Sequence, residues 1–217
     1  MTTYEWLAVG LFCLLTAALI AMKLLKMSSR RRGTVKMIAS SFFVLGAVYL
    51  FVTCGVDSLF LALGLIAAFL GDLFLVFMDN HAFFVAGVVA FCFASLCLTL
   101  HTFMHMAWQW WFVAVFVAVF VANMLCQIKN VYSYGKDFVI LNAYVLLVGL
   151  CGSLGLTVAC TATTVSAVLY GIGCFAYFLS DVCLGIYLLK VRSSYLDAVN
   201  TLLYFPGMLL IAAAFII

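Results

Sequence analysis

Charge is what this sequence has least of. Lys, Arg, Asp and Glu make up 8% of its 217 residues, against about 25% in a soluble domain. So few charges cannot cover a globular surface, and a soluble fold is excluded. Histidine is scarce too, and its three copies do not converge. His101 and His105 are spaced i, i+4, as a metal clasp requires, but they fall at the outer end of the fourth apolar segment. His81 falls at a joint on the opposite side, so no metal site and no other cofactor is expected. The nine cysteines never occur as CxxC and read as small packing residues within helices. Proline occurs once, as Pro206 followed by Gly207. There it is expected to interrupt the last helix and free a carbonyl upstream.

What the sequence has is apolar length. Hydrophobic residues make up 69%, in stretches long enough to cross a bilayer core of about 30 Å at about 1.5 Å per residue. The expected fold class is all-α, a polytopic membrane helix bundle of about eight transmembrane helices. They are placed near residues 4–25, 35–53, 57–77, 82–103, 107–128, 138–159, 164–189 and 198–217. One transmembrane domain, residues 1–217, accounts for the chain. The first segment has Glu5 ahead of it and its basic cluster behind, the reverse of a cleavable signal, and reads as a permanent helix.

Orientation follows from the basic residues. Lys23, Lys26, Arg30, Arg31, Arg32 and Lys36 flank the first joint, Lys129 and Lys136 the fifth, and Lys190 and Arg192 lie in the seventh. All fall on odd-numbered joints. The expectation is a multi-pass protein of the plasma (inner) membrane with these joints in the cytoplasm and both termini outside. The net charge of +3 is therefore a matter of topology, and no nucleic-acid partner is expected. The partners are the bilayer and a lipid; the oligomeric state is left open.

Asp72 and Asp181 are the only acids well inside a predicted span. A carboxylate at the helix centre costs about 2.5–3.5 kcal/mol, so it needs a partner, a proton or a water-filled cavity. Helical rise puts Asp72 about 9 Å and Asp181 about 13 Å from the cytoplasmic ends of their helices. Ser40, Ser41, Asn123, Asn142, Tyr144, Tyr177 and Tyr204 fall at a similar level, and Tyr177 shares a helix face with Asp181. The outer half is nearly all Leu, Val, Ala and Phe. One polar layer supplied by several helices suits a pocket open to the cytoplasmic side; the plainer alternative is polar glue between helices. Helices three and seven also share a pattern. Gly64, Ala67, Phe69, Leu70, Gly71, Asp72 and Leu75 match Gly173, Ala176, Phe178, Leu179, Ser180, Asp181 and Leu184. That pattern suggests a parallel four-plus-four repeat.

With those residues in view, the chain resembles the YhhN family, the lysoplasmalogenases. The resemblance rests on Gly71–Asp72 with Leu75, and on Gly173, Tyr177, Ser180–Asp181 and Leu184. Phe84, Gly87 and Phe91, then Tyr144, Lys36, Tyr204 and Leu210–Ile211, support it. Ser95 stands where the family usually has His, Met208 where it usually has Gln, and Met37 where Pro usually follows the Lys. The resemblance implies hydrolysis of the vinyl-ether bond of a lysoplasmalogen to a fatty aldehyde and a glycerophospho-base. Asp72 and Asp181 would be catalytic, one protonated and one ionised. Lys36, Ser40, Asn123, Asn142, Tyr144, Tyr177, Ser180 and Tyr204 would contact substrate, Lys36 at its phosphate. Two other readings stay open: a proton-coupled small-molecule or lipid transporter, and a non-catalytic lipid-binding member.

Overall fold

Long apolar runs leave a helix as the structure that satisfies every backbone polar group in lipid, and helices are what form. The structure, a computed structural model, describes residues 3–214. Among the described residues there are eight α-helices and no strand: α1 (Thr3–Leu24), α2 (Ser29–Cys54), α3 (Leu59–Val76), α4 (His81–His105), α5 (Phe112–Ile128), α6 (Phe138–Thr161), α7 (Val165–Leu189) and α8 (Ser194–Ala213). Short 3-10 turns, Gly55–Ser58 and Gly135–Asp137, lead into α3 and α6. Six stretches are long and apolar enough to span a membrane. One of them, Ser29–Val76, contains both α2 and α3, and Phe112–Ile128 is a shorter apolar helix. The result is a polytopic helical bundle. Large apolar side chains such as Leu14, Val52, Val113 and Leu202 face outward, as expected where the solvent is lipid rather than water.

Several starts are set by local chemistry. Asn80 caps α4 by accepting from the Ala82 amide at 2.9 Å, and Thr164 caps α7 by accepting from Ala167 at 3.3 Å. Two starts differ from expectation in ways that matter for the site. α2 begins six residues earlier than residue 35, so Arg32 and Lys36 lie one turn apart on a single helix. α8 begins at Ser194 rather than residue 198, which places Asp197 in its first turn. The last expected residues of that helix, 215–217, lie outside the described ones. α8 also runs unbroken through Pro206; the expected interruption does not occur.

The odd-numbered joints meet at one end of the bundle. Lys23, closing α1, pairs with Asp197 at the start of α8, and His81, opening α4, contacts Asp137 ahead of α6 at 2.9 Å. At the other end Thr102 of α4 and Tyr170 of α7 share a hydrogen bond of 3.1 Å.

The pairing of helices repeats. α1 packs on α2, α2 on α3 and α3 on α4, and in the second half α5 packs on α6, α6 on α7 and α7 on α8. The halves meet through α4 on α6 and, in the equivalent position, α8 on α2; α1 also packs on α8, a contact that α5 does not match in extent with α4. In the register that superposes Asp72 on Asp181, Leu98 corresponds to Gly207 and Phe91 to Asn200. A Cβ on Gly64 would lie 3.3 Å from Leu98, and one on Gly173 would lie 2.7 Å from the Gly207 carbonyl. Gly71 packs under the Phe91 ring, and the Ser180 carbonyl accepts from Asn200 at 2.9 Å. Equivalent positions touch in both halves.

Small residues let α7 approach its neighbours closely, as they do where helices associate in lipid. A methyl at Gly171 would meet the Ala159 amide nitrogen and the Gly155 carbonyl oxygen, each at 2.5 Å. Both obstacles are backbone, so Gly171→Ala must push α6 and α7 apart. The expected loss is about 1–3 kcal/mol, measured as a lower unfolding midpoint in detergent. Gly185→Ala, where a Cβ meets nothing within 4 Å, should leave that midpoint unchanged or slightly raised.

Candidate active site

The end of the bundle that gathers the basic joints holds a polar cavity of about 160 Å³, lined by Lys23, Arg32, Lys36, Asp72, Asp181, Asp197 and Tyr204 among others. Six helices contribute to it: α1, α2, α3, α7 and α8, with Phe91 of α4 as an apolar wall. Both predicted acids therefore face one space.

Asp72 is 1% exposed and fully partnered. Lys36 Nζ lies 2.7 Å from Oδ1, while Oδ2 accepts from the Tyr204 hydroxyl at 3.0 Å and from the Ser40 hydroxyl. One residue of α3 thereby ties α2 and α8 together. Lys36 and Ser40 are one turn apart on α2, and both reach the same carboxylate.

Asp181 is placed differently. Tyr144 of α6 lines the same spaces as Asp181, and Asp181 Oδ2 is buried with no partner. Among the described residues no cation pairs with it. The repeat accounts for the difference. In the register of the two halves Ser95 occupies the position of Tyr204, and a serine is too short to repeat the Tyr204–Asp72 bond. Its hydroxyl instead meets the Tyr177 hydroxyl at 3.1 Å.

The remaining sequence candidates divide into two groups. Tyr177 is fully buried beside Tyr204, with ring centroids 6.1 Å apart, so it supports the acid layer from behind. Ser180 spends its hydroxyl on the Tyr177 carbonyl at 2.7 Å. Asn123 and Asn142 do not reach the polar cavity. The Asn123 amide donates to Asn142 at 3.1 Å, and its carbonyl oxygen accepts from Tyr132 at 2.6 Å and Tyr134 at 2.7 Å. This knot fastens the loop between α5 and α6. Burial pushes the Tyr134 hydroxyl well above its ordinary value, so it stays a donor at any physiological pH. Ser41 turns to the Ile38 carbonyl at 2.7 Å, and Met208 is a core residue with no exposure.

The sequence reading missed Asp197. Its carboxylate accepts from Lys23 and, at 3.3 Å, from Arg32, clamping the first joint to the seventh across the mouth of the cavity. The signal available was the surplus of cations around the first joint, which needs a counter-charge. Arg32 keeps one capacity unused: its Nε is buried without a partner. A mouth holding Lys23, Arg32 and Lys36 can receive an anion, and the acids beneath it can exchange a proton with whatever is bound.

The sequence model of the YhhN family matches residues 32–215. No curated protein and no solved structure matches the chain.

The Lys36–Asp72 pair can be tested without a substrate. Removing the cation alone strands a buried carboxylate. Lys36→Met should lower stability by about 2–3 kcal/mol, and the double variant Lys36→Met/Asp72→Asn should recover most of that loss. A double-mutant cycle on unfolding in detergent measures the coupling; additive losses would mean the contact contributes nothing.

Proposed function

The chain belongs to the YhhN family, and on that premise we propose that it is a membrane-embedded hydrolase cleaving the vinyl-ether bond of a lysoplasmalogen, releasing a fatty aldehyde and a glycerophospho-base. The observation that carries this reading is the pair of unlike carboxyl groups on one cavity. Asp72 has a lysine, a serine and a tyrosine around it, whereas Asp181 has no cation and one bare oxygen.

Those surroundings assign roles. A carboxyl that lacks a counter-ion at lipid depth is cheapest in its neutral form, so Asp181 is the proton donor. It protonates the vinyl carbon remote from the ether oxygen, and the electrons of the double bond form the new C–H bond. The adjacent carbon becomes an oxocarbenium ion, which the charge left on Asp181 stabilises. Water adds to that carbon and returns a proton to the Asp181 carboxylate. The hemiacetal then collapses to aldehyde and alcohol, so the proton balance closes. Asp72, paired with Lys36, orients the water and opposes the positive charge. Glycosidases meet a similar cation with two carboxyl groups in unlike surroundings. Arg32 and Lys36 receive the phosphate of the head group at the cavity mouth.

Purified protein supplied with a vinyl-ether lysolipid should release aldehyde. Asp181→Asn and Asp72→Asn should each reduce the rate by about 100-fold or more, with folding checked by the unfolding midpoint. Full activity in both variants would end the proposal. Proton-dependent flux across proteoliposomes without aldehyde release would favour the transporter reading instead.

The same proposal places the end with the basic joints in the cytoplasm and both termini outside, following the distribution of Lys and Arg. A protease-sensitive tag inserted at residues 27–28 should stay intact when whole cells are treated from outside. The same tag at residues 162–164 should be cut.

A further inference from the structure

The polar cavity is not the largest space in the molecule. α5 makes its substantial contacts with α6 alone, and a gap of about 410 Å³ lies between it and α7. Its walls are Val119 and Ala122 of α5, Val145 and Val148 of α6, and Phe178 and Val182 of α7. The polar groups that reach this gap are Tyr144 and Asp181, with Asn123, Tyr132, Tyr134 and Lys190 toward the end that gathers the basic joints. A third space of about 100 Å³, between α4 and α7, also ends on Asp181. The residue with the bare carboxyl oxygen thus stands where the polar cavity and a mostly apolar one adjoin.

We propose that the gap between α5 and α7 is the chain site of a single-chain amphiphile whose anionic head group lies in the polar cavity, with Gly185 setting the length of chain that fits. The inference rests on the hydrolase reading only for which bond lies beside Asp181; occupancy itself needs no turnover. Two observations point to this occupant rather than to ordinary membrane lipid. At the head end, where Lys23, Arg32 and Lys36 already pair with Asp197 and Asp72, the Arg32 Nε donor is buried and unpartnered beside Lys36, a cationic donor left to take an anionic oxygen. The two apolar spaces are unequal, about 410 Å³ and about 100 Å³, and of these only the larger is of a size to hold a long alkyl chain. Gly185 borders both apolar spaces, and a Cβ there meets nothing within 4 Å. A side chain at this position starts in open space on the border of the gap, so a large one has room to enter it.

The probe is a non-hydrolysable hexadecyl ether lysophospholipid carrying a diazirine at the chain end, photolysed on the full-length protein in nanodiscs and mapped by peptide mass spectrometry. Adducts should fall within residues 119–126 and 178–186. Unlabelled hexadecyl ether lysolipid should compete them away, and diacyl phosphatidylcholine should not. Gly185→Phe should cut this labelling by about tenfold, about 1.4 kcal/mol, while leaving the affinity for an octyl ether lysolipid and the unfolding midpoint unchanged. Adducts spread over outward-facing helix surfaces, labelling indifferent to Gly185→Phe, or equal competition by diacyl lipid would each overturn the proposal. Correct labelling without aldehyde release would sink the hydrolase reading and leave the chain site standing; aldehyde release with scattered labelling would do the reverse.

Discussion

An ionised carboxylate at lipid depth carries an insertion cost of about 2.5–3.5 kcal/mol, and the arrangement around Asp72 is a direct response to it. Lys36 and Ser40 come from α2 and Tyr204 from α8, so satisfying one side chain fixes the relative position of three helices. No apolar contact could do the same, because lipid tails compete with Leu and Val on equal terms. The polar cavity exists because these helices converge on the acid. Its mouth is held by the second clamp, in which Asp197 joins the ends of α1 and α2 to the start of α8.

The two halves of the bundle use one plan and finish it differently. Glycines or a small residue let each acid-bearing helix lie against the helix that follows it, at Gly64 and Gly71 on α3 and at Gly173 and Ser180 on α7. The outcome diverges at two positions. Tyr204 reaches Asp72 across the halves, whereas its counterpart Ser95 stops short of Asp181 and turns to Tyr177. The repeated pattern provides two carboxyl groups; a lysine, a serine and a tyrosine reach one of them, whereas the other keeps a bare oxygen, and unequal surroundings are what acid–base chemistry requires.

Much of this was legible in the sequence, for identifiable reasons. A charge in a greasy segment is conspicuous, so Asp72 and Asp181 could be singled out, and the odd-joint clustering of Lys and Arg anticipated the end of the bundle where they meet. Depth could be read from helical rise, which placed Ser40 and Tyr204 near the level of Asp72; the Lys36–Asp72 pair was not anticipated, because Lys36 was read as a phosphate contact. Azimuth could not, because a helix that is apolar all round has no stripe to show which way it faces. Asn123 and Asn142 therefore counted as members of the layer, although their side chains close on Tyr132 and Tyr134 instead. Asp197 was lost to a boundary. With α8 taken to begin at residue 198 it read as an ordinary joint residue, and only the earlier start at Ser194 turns it toward Lys23 and Arg32.

The length of α5 has a consequence for the bilayer itself. Its 17 residues rise about 25 Å, some 5 Å short of a typical hydrocarbon core of about 30 Å. A helix that short draws the two leaflets together around it, at fractions of a kcal/mol per Å of mismatch. The pinch would fall beside a helix whose substantial packing is on α6 alone, tied elsewhere by the Phe112 ring against Phe103 of α4 and by the Asn123 bonds to Tyr132 and Tyr134. The mismatch is smallest in a thin bilayer, so membrane thickness sets the strain carried by that flank.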